Sequence, residues 1–84
     1  MSDDVAAVLD RAYREEWAKV LATLTRQVGG DLGLAEDAVQ DAFVAAAADW
    51  PRVGVPRRPG AWLTTTARRR AIDRLRREQT RAAH

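Results

Sequence analysis

The chain has 84 residues, 46% of them hydrophobic, and a formal net charge of +2, which is enough for one small domain with a modest core. It has no cysteine, which excludes disulfides and thiolate metal sites, and its single histidine, His84, argues against a catalytic histidine or a multi-histidine metal site. No segment resembles a signal peptide or a membrane span, so a cytoplasmic protein without a metal or cofactor is expected.

The first predicted element is an amphipathic helix over about residues 3–28. Apolar side chains recur there at spacings of three and four, as expected for a helix that packs one face against a core. The apolar positions are Val5, Val8, Leu9, Ala12, Trp17, Val20, Leu21, Leu24 and Val28. Ser2 or Asp3 is predicted to cap the start of the helix, and Gly29-Gly30 to end it.

The second predicted element is a helix over about residues 32–49, with Asp31 as its N-cap. Its apolar stripe is mostly alanine, which allows a neighbouring helix to approach closely. The opposite side carries Glu36, Asp37, Gln40 and Asp41. From the pattern alone, such an acidic face is usually just solvated. The Trp50-Pro51 pair is predicted to end the helix, because the residue before a proline is pushed away from helical dihedral angles.

A loop that contains all three prolines is predicted between residues 49 and 60. The side chains expected to pin it to the core are Trp50, Val53 and Val55. Pro59 suits the first turn of a third helix, over about residues 59–80. The apolar side of that helix carries Leu63, Ala67, Ala71, Ile72 and Leu75. With no strand signal, the chain is predicted to be all-α, a compact three-helix bundle with a Pro/Gly loop before its last, basic helix.

Charge is segregated along the chain. Residues 1–50 carry four basic and ten acidic side chains, whereas residues 51–84 carry ten arginines against Asp73 and Glu78. One face of the third helix carries Arg69, Arg70, Asp73, Arg76 and Arg77, and Arg57 and Arg58 precede it. An arginine stripe is typical of nucleic-acid binding. The alternative is a solvated face on which Asp73 pairs with neighbouring arginines.

The remaining candidate residues are the carboxylates and the three tryptophans. No nucleophile, metal ligand or glycine-rich phosphate loop accompanies the carboxylates, so an enzyme is not predicted. Trp17 and Trp50 are assigned to the core. Trp62 is also assigned to the core, although its position before the arginine stripe would allow it to stack on an unpaired base instead.

Three motifs closely resemble domain 2 of the extracytoplasmic-function (ECF) sigma factors, which are sigma-70-family subunits for bacterial transcription initiation. In chain order they are "AEDAVQDAF", "WPRVGVPRRPGAWL" and "TARRRAIDRLRR". The resemblance covers about residues 10–78. It assigns residues 1–80 to a sigma-70 region 2-like domain and residues 81–84 to the start of a linker or tail. Because ECF sigma factors continue into a helix-turn-helix domain, the chain is expected to be a fragment of a longer sigma factor.

The resemblance implies a partner for each charged face. The second helix would bind the clamp helices of the RNA polymerase β′ subunit through Asp37, Gln40 and Asp41. The third helix and the loop before it would bind the non-template strand of the −10 promoter element, where a base is flipped out of the duplex. The residues at the matching positions are Arg57, Arg58, Arg68, Arg69, Arg70, Asp73, Arg76 and Arg77. Many members have asparagine where this chain has Arg69, so no base preference is carried over.

Two alternative functions stay open at this point. One is a generic basic helical module that binds nucleic acid without a polymerase partner. The other is a protein-interaction module whose basic helix meets an acidic partner, such as an anti-sigma factor. An anti-sigma factor can also bind a true sigma domain, so this alternative does not exclude the sigma-factor interpretation.

Overall fold

Three α-helices make up the part of the chain that the structure, a computed structural model, describes: residues 4–82. They are α1 (Val5–Gln27), α2 (Leu32–Val53) and α3 (Pro59–Ala82). The predicted all-α, three-helix architecture is confirmed, and no strand occurs within residues 4–82. In the same range no helix is long and apolar enough to cross a membrane. Two of the predicted features, a cap at Ser2 or Asp3 and the lone His84, lie outside the described residues.

The ends of α1 are set by side-chain capping and by glycine. Asp4 is the N-cap that the structure describes, since its Oδ1 accepts a hydrogen bond from the backbone N–H of Ala6 at 3.0 Å. The C-terminus lies where it was predicted. Gly29 and Gly30 have φ angles of 70° and 86°, in the left-handed region that favours glycine. They turn the chain toward α2.

The second helix begins where it was predicted and ends later. Asp31 is its N-cap, and its Oδ1 accepts the N–H of Leu34 at 3.0 Å. The helix then continues through Pro51 into one further turn, so the prediction that Trp50-Pro51 ends it near residue 49 is wrong. Proline has a helix-compatible φ, but it removes one N–H donor and its ring crowds the carbonyl of the residue four positions earlier, so this continuation has a cost. The helix ends at Gly54, whose N–H donates to the Trp50 carbonyl at 2.9 Å.

The connection to α3 is shorter than predicted because α2 is longer. It spans residues 54–58. Val53 and Val55 are 71% and 37% exposed, so the expectation that they pin this segment to the core is wrong. Trp50 is 1% exposed and belongs to the core, as predicted. Pro59 lies in the first turn of α3, also as predicted.

Gly54 should be the most substitution-sensitive residue of this connection. Its φ of 97° and ψ of 158° lie in a region that is essentially open only to glycine, so Gly54→Ala is expected to lower the free energy of unfolding by about 1–3 kcal/mol. Gly33→Ala is the matched control, since Gly33 is helical and an added Cβ would meet only an Asp31 oxygen at 3.7 Å. The control is expected to gain up to about 1 kcal/mol. Urea denaturation measures both, and equal losses would contradict the assignment.

The core lies where α2 packs between the other two helices. Most of the α2 contribution is alanine, which allows close backbone approach. The fully buried alanines of α2 are Ala35, Ala38, Ala42 and Ala46, and those of α3 are Ala67 and Ala71. The largest fully buried side chains are Trp50, Leu24, Leu63 and Val39. Ile72 and Leu75, which were predicted on the apolar side of α3, are 39% and 38% exposed and lie outside this core.

The three tryptophans pack as predicted, in or against the core. Trp62 is partly buried and packs against it. Its ring meets that of Trp50 edge to face, with the centroids 5.4 Å apart. Trp17 is also partly buried and belongs to an aromatic cluster with Tyr13 and Phe43 on the α1–α2 side, where the ring centroids are 4.9–5.7 Å apart.

Candidate functional site

Four side chains on the outward side of α2 form what we call the acidic face: Asp37, Gln40, Asp41 and Val44. Helical geometry places them within roughly 100° of arc, because each residue advances the helix by 100°. The Asp37 side chain is 61% exposed and that of Asp41 is 35% exposed. Gln40 is exposed, and Val44 is 69% exposed. The face therefore presents two carboxylates, an amide and one apolar contact.

Both carboxylates of the acidic face meet an arginine of α3. The Arg74 Nη2 donates a hydrogen bond to Asp41 Oδ2 at 2.7 Å, and the Arg74 Nη1 lies 3.8 Å from Asp37 Oδ2. The hydrogen bond with Asp41 raises the pKa of the Arg74 guanidinium more than partial burial lowers it. The charges of Asp41, Asp37 and Glu78 raise this pKa further. The Arg74 guanidinium therefore stays protonated beside the acidic face.

Sequence reasoning missed Arg74, although the sequence held a signal for it. Leu63, Ala67 and Ala71 follow one another at a spacing of four, and Arg74 lies three residues after Ala71. This spacing turns Arg74 toward the other helices. A charged residue at the end of a buried stripe calls for a partner of opposite charge. The acidic face of α2 supplies that partner.

A solvent-open groove of about 410 Å³ lies between α2 and α3. One wall carries Arg70, Arg74 and Arg77, and the other carries Asp41 and Asp49. We call this feature the charged groove. Although carboxylates are close together here, no group of three or more His, Cys, Asp or Glu residues within the described chain could hold a metal ion.

The arginines predicted to bind DNA are spread over the length of α3 and the loop before it rather than gathered in one patch, and we call them the track. Arg57 and Arg58 lie in the loop at the N-terminal end of α3, and both are exposed. Arg76 and Arg77 lie near the other end, roughly 25–30 Å away at 1.5 Å per helical residue. An elongated polyanion can contact both ends at once, whereas a small anion cannot.

The track has two rows along α3. Arg70 and Arg77 are seven residues apart, which is close to two helical turns, and both line the charged groove. Arg69 and Arg76 have the same spacing and form a second row, turned further from α2. All four are exposed, and within residues 4–82 none of them forms an ion pair within 4.0 Å.

Two of the predicted DNA-binding residues differ from the rest. The Arg68 Nε donates a hydrogen bond to Gln27 Oε1 at 3.0 Å, so this arginine joins α3 to the end of α1. It lies roughly 200° around the helix from Arg70. Asp73 is exposed and takes part in no ion pair among residues 4–82, so the suggested pairing with neighbouring arginines is not observed.

Comparison with known proteins gives a family match and one relative. The sequence profile of the family Sigma-70 region 2 matches residues 13–81. An uncharacterized protein of Rhizobium meliloti (strain 1021) is 45% identical over 53 residues, which are 63% of this chain and 12% of that protein. The chain therefore matches only a small part of that relative's length. No solved structure gives a significant match.

Proposed function

The chain belongs to the sigma-70 region 2 family, whose members are non-enzymatic domains of transcription initiation factors, and we propose that it is region 2 of an ECF sigma factor. In this role it binds the RNA polymerase core through the acidic face of α2. It binds the non-template strand of the −10 promoter element through α3 and the loop before it. The ECF assignment rests on the three motifs quoted above. Because a sigma factor acts on RNA polymerase, the proposal also includes a location in the bacterial cytoplasm.

The observation that best supports this proposal is the separation of charge across the charged groove. The α2 wall is acidic and the α3 wall is basic. A protein partner with basic side chains and an anionic nucleic-acid strand can therefore bind side by side, each to its own wall. A generic nucleic-acid-binding module has no need for the acidic wall.

On the polymerase side, the freest groups are Asp37 and Gln40. Asp37 keeps most of its side chain in solvent, at 61% exposed, whereas Asp41 is already hydrogen-bonded to Arg74. Complementary charge across such an interface chiefly speeds association and sets specificity. Val44, 69% exposed, supplies the apolar contact that the centre of an interface needs.

On the DNA side, the proposed contacts are the arginines without an internal partner. Each arginine that neutralises a phosphate releases condensed counterions, so affinity should fall steeply with salt. The two rows of α3 can follow a single strand along the helix. Arg57 and Arg58 extend the track at its N-terminal end.

Removing one row should weaken DNA binding in a way that salt reveals. Arg69→Gln with Arg76→Gln is expected to lower affinity for a single-stranded −10 oligonucleotide, and to reduce the salt slope of log K by about 1.4, since each single-strand phosphate contact contributes about 0.7. The control is Arg11→Gln with Arg26→Gln, because both arginines are exposed on α1. Fluorescence anisotropy over a salt series measures the slopes. An unchanged slope, or an equal loss in the control, would contradict this assignment.

The proposal as a whole is tested by calorimetric titration of the chain with a fragment of the β′ clamp helices. Binding with a Kd below about 100 μM, which corresponds to about 5.5 kcal/mol, is the expected result. No binding at that concentration, with DNA binding retained, would favour the generic nucleic-acid module. Loss of both interactions would favour the protein-interaction module instead.

A further inference from the structure

Arg74 belongs to both charged surfaces at once. Its guanidinium is bonded to Asp41 and lies near Asp37 of the acidic face. It also lines the charged groove beside Arg70 and Arg77, which are four residues before it and three residues after it. Residues at these spacings are neighbours on one helix face. Arg74 is therefore in position to contact a phosphate, but its charge is paired with Asp41 and Asp37.

The bridge made by Arg74 is open to competition. Its side chain is 38% exposed, and that of Asp41 is 35% exposed. Ion pairs with this much access to water are weakly held and screened by salt. A buried pair would instead have to stay closed, because breaking it would leave an unpaired charge in the interior. Basic side chains from a docked protein can thus displace Arg74 from the carboxylates.

We propose, building on the proposed function, that Arg74 changes partners when the domain assembles with polymerase. In the free domain it is paired with Asp41 and Asp37. When basic side chains of the polymerase take over these carboxylates, the Arg74 guanidinium is released to a phosphate of the nucleic acid, beside Arg70 and Arg77. Arg74 then couples polymerase binding to DNA binding through a single side chain.

The exchange has two consequences that can be measured separately. First, Asp37 and Asp41 together carry a charge of −2, and with Arg74 beside them the three side chains carry −1. Arg74 therefore opposes docking of a basic partner. Second, thermodynamic linkage requires polymerase binding and DNA binding to strengthen each other by the same factor. Because the exchange involves one partly exposed ion pair, each binding event is expected to raise the affinity of the other about two- to fivefold.

The test measures affinity for a single-stranded −10 oligonucleotide with and without a saturating β′ clamp-helix fragment, after correction for DNA binding by the fragment alone. In the wild-type chain the fragment is expected to raise DNA affinity about two- to fivefold. Arg74→Gln is expected to abolish this increase and to bind the fragment more tightly than the wild type does. Arg70→Gln is the matched control. It removes the same charge from the same wall but no contact to the carboxylates, so it should weaken DNA binding and keep the coupling.

A merely structural role for Arg74 predicts a different pattern. Arg74→Lys retains the charge and is expected to retain part of the coupling. If Arg74 only supported packing, Arg74→Gln and Arg74→Lys would both lose the coupling, and both would also lose thermal stability. The guanidinium NMR signals of Arg74 should shift when the fragment is added and shift again when DNA is added. Coupling that persists in Arg74→Gln would overturn this inference alone. Failure of the wild-type chain to bind the fragment would overturn the proposed function, and this inference with it.

Discussion

Asp37→Arg is expected to weaken binding to the β′ clamp-helix fragment by about 10- to 100-fold, or about 1.4–2.7 kcal/mol. Asp37 is the more exposed carboxylate of the acidic face, with 61% of its side chain accessible. The substitution replaces an attraction to basic partner side chains with a repulsion. It also places a second positive charge beside Arg74, which strengthens the effect. Calorimetric titration measures the loss.

Asp10→Arg is a closely matched control for this variant. The charge change is the same, the Asp10 side chain is 69% exposed, and it also loses one exposed ion pair, to Arg14 at 3.2 Å. It lies on α1, outside the acidic face, and should bind the fragment as the wild type does. Gln40→Arg adds a test at an exposed position without a charged partner. Equal losses in Asp37→Arg and Asp10→Arg would mean that net charge, not the acidic face, controls binding.

Asp41 is the less informative position for such a test. Its hydrogen bond to Arg74 at 2.7 Å joins α2 to α3. An arginine at this position would oppose the Arg74 charge at the helix interface. A loss of polymerase binding by Asp41→Arg could therefore come from a lost contact or from altered packing of α2 on α3. Substitutions at Asp37 and Gln40 test the contact without changing that packing.

Trp50→Ala is expected to lower the free energy of unfolding by about 3–5 kcal/mol, the usual loss for a buried large aromatic residue. Trp50 is 1% exposed and packs edge to face on Trp62. A domain of this size has only about 4–13 kcal/mol of stability in total. The variant should therefore lose a large share of its stability and unfold at a lower urea concentration than the wild type. Urea denaturation followed by circular dichroism measures the change.

Trp50→Phe separates packing from polarity at the same position. The Trp50 Nε1 is buried and has no hydrogen-bond partner among the described residues, and leaving such a donor unsatisfied costs about 1–3 kcal/mol. Phenylalanine removes this donor and keeps an aromatic ring against Trp62. It should therefore cost far less than alanine. Equal losses in the two variants would contradict the account of the core.

Local signals in the sequence were sufficient for the helices and for most of their ends. The Asp31 cap of α2 and the glycine pair that ends α1 could be predicted, because each depends only on nearby backbone groups. The end of α2 was mispredicted because a local rule about Pro51 competed with a tertiary effect. Helical backbone at Trp50 continues the buried stripe of α2 and places the indole in the core. A proline inside a helix costs about 3 kcal/mol, whereas burial of an aromatic ring contributes about 4–6 kcal/mol, so the helical path that buries the indole is favoured.

The candidate site was predictable as two faces but not as a connected unit. Spacing along a helix predicts neighbours three or four residues apart, and the alternative of a solvated face, on which Asp73 pairs with arginines of its own helix, rested on that rule. The observed partners lie on different helices: Arg74 pairs with Asp41 and Asp37, and Arg68 with Gln27. A local pattern can indicate that Arg74 faces the other helices, but which carboxylate it meets depends on how the helices pack.

Site-specific photocrosslinking to core RNA polymerase tests the central claim most directly, because it identifies the partner and the contacting surface together. A photoreactive amino acid replaces Val44, which is 69% exposed in the middle of the acidic face. The control carries it at Ala7, which is exposed on α1. The account predicts a crosslink from position 44 to the β′ subunit and none from position 7. Equal crosslinking from both positions, or none to β′ from position 44, would contradict it.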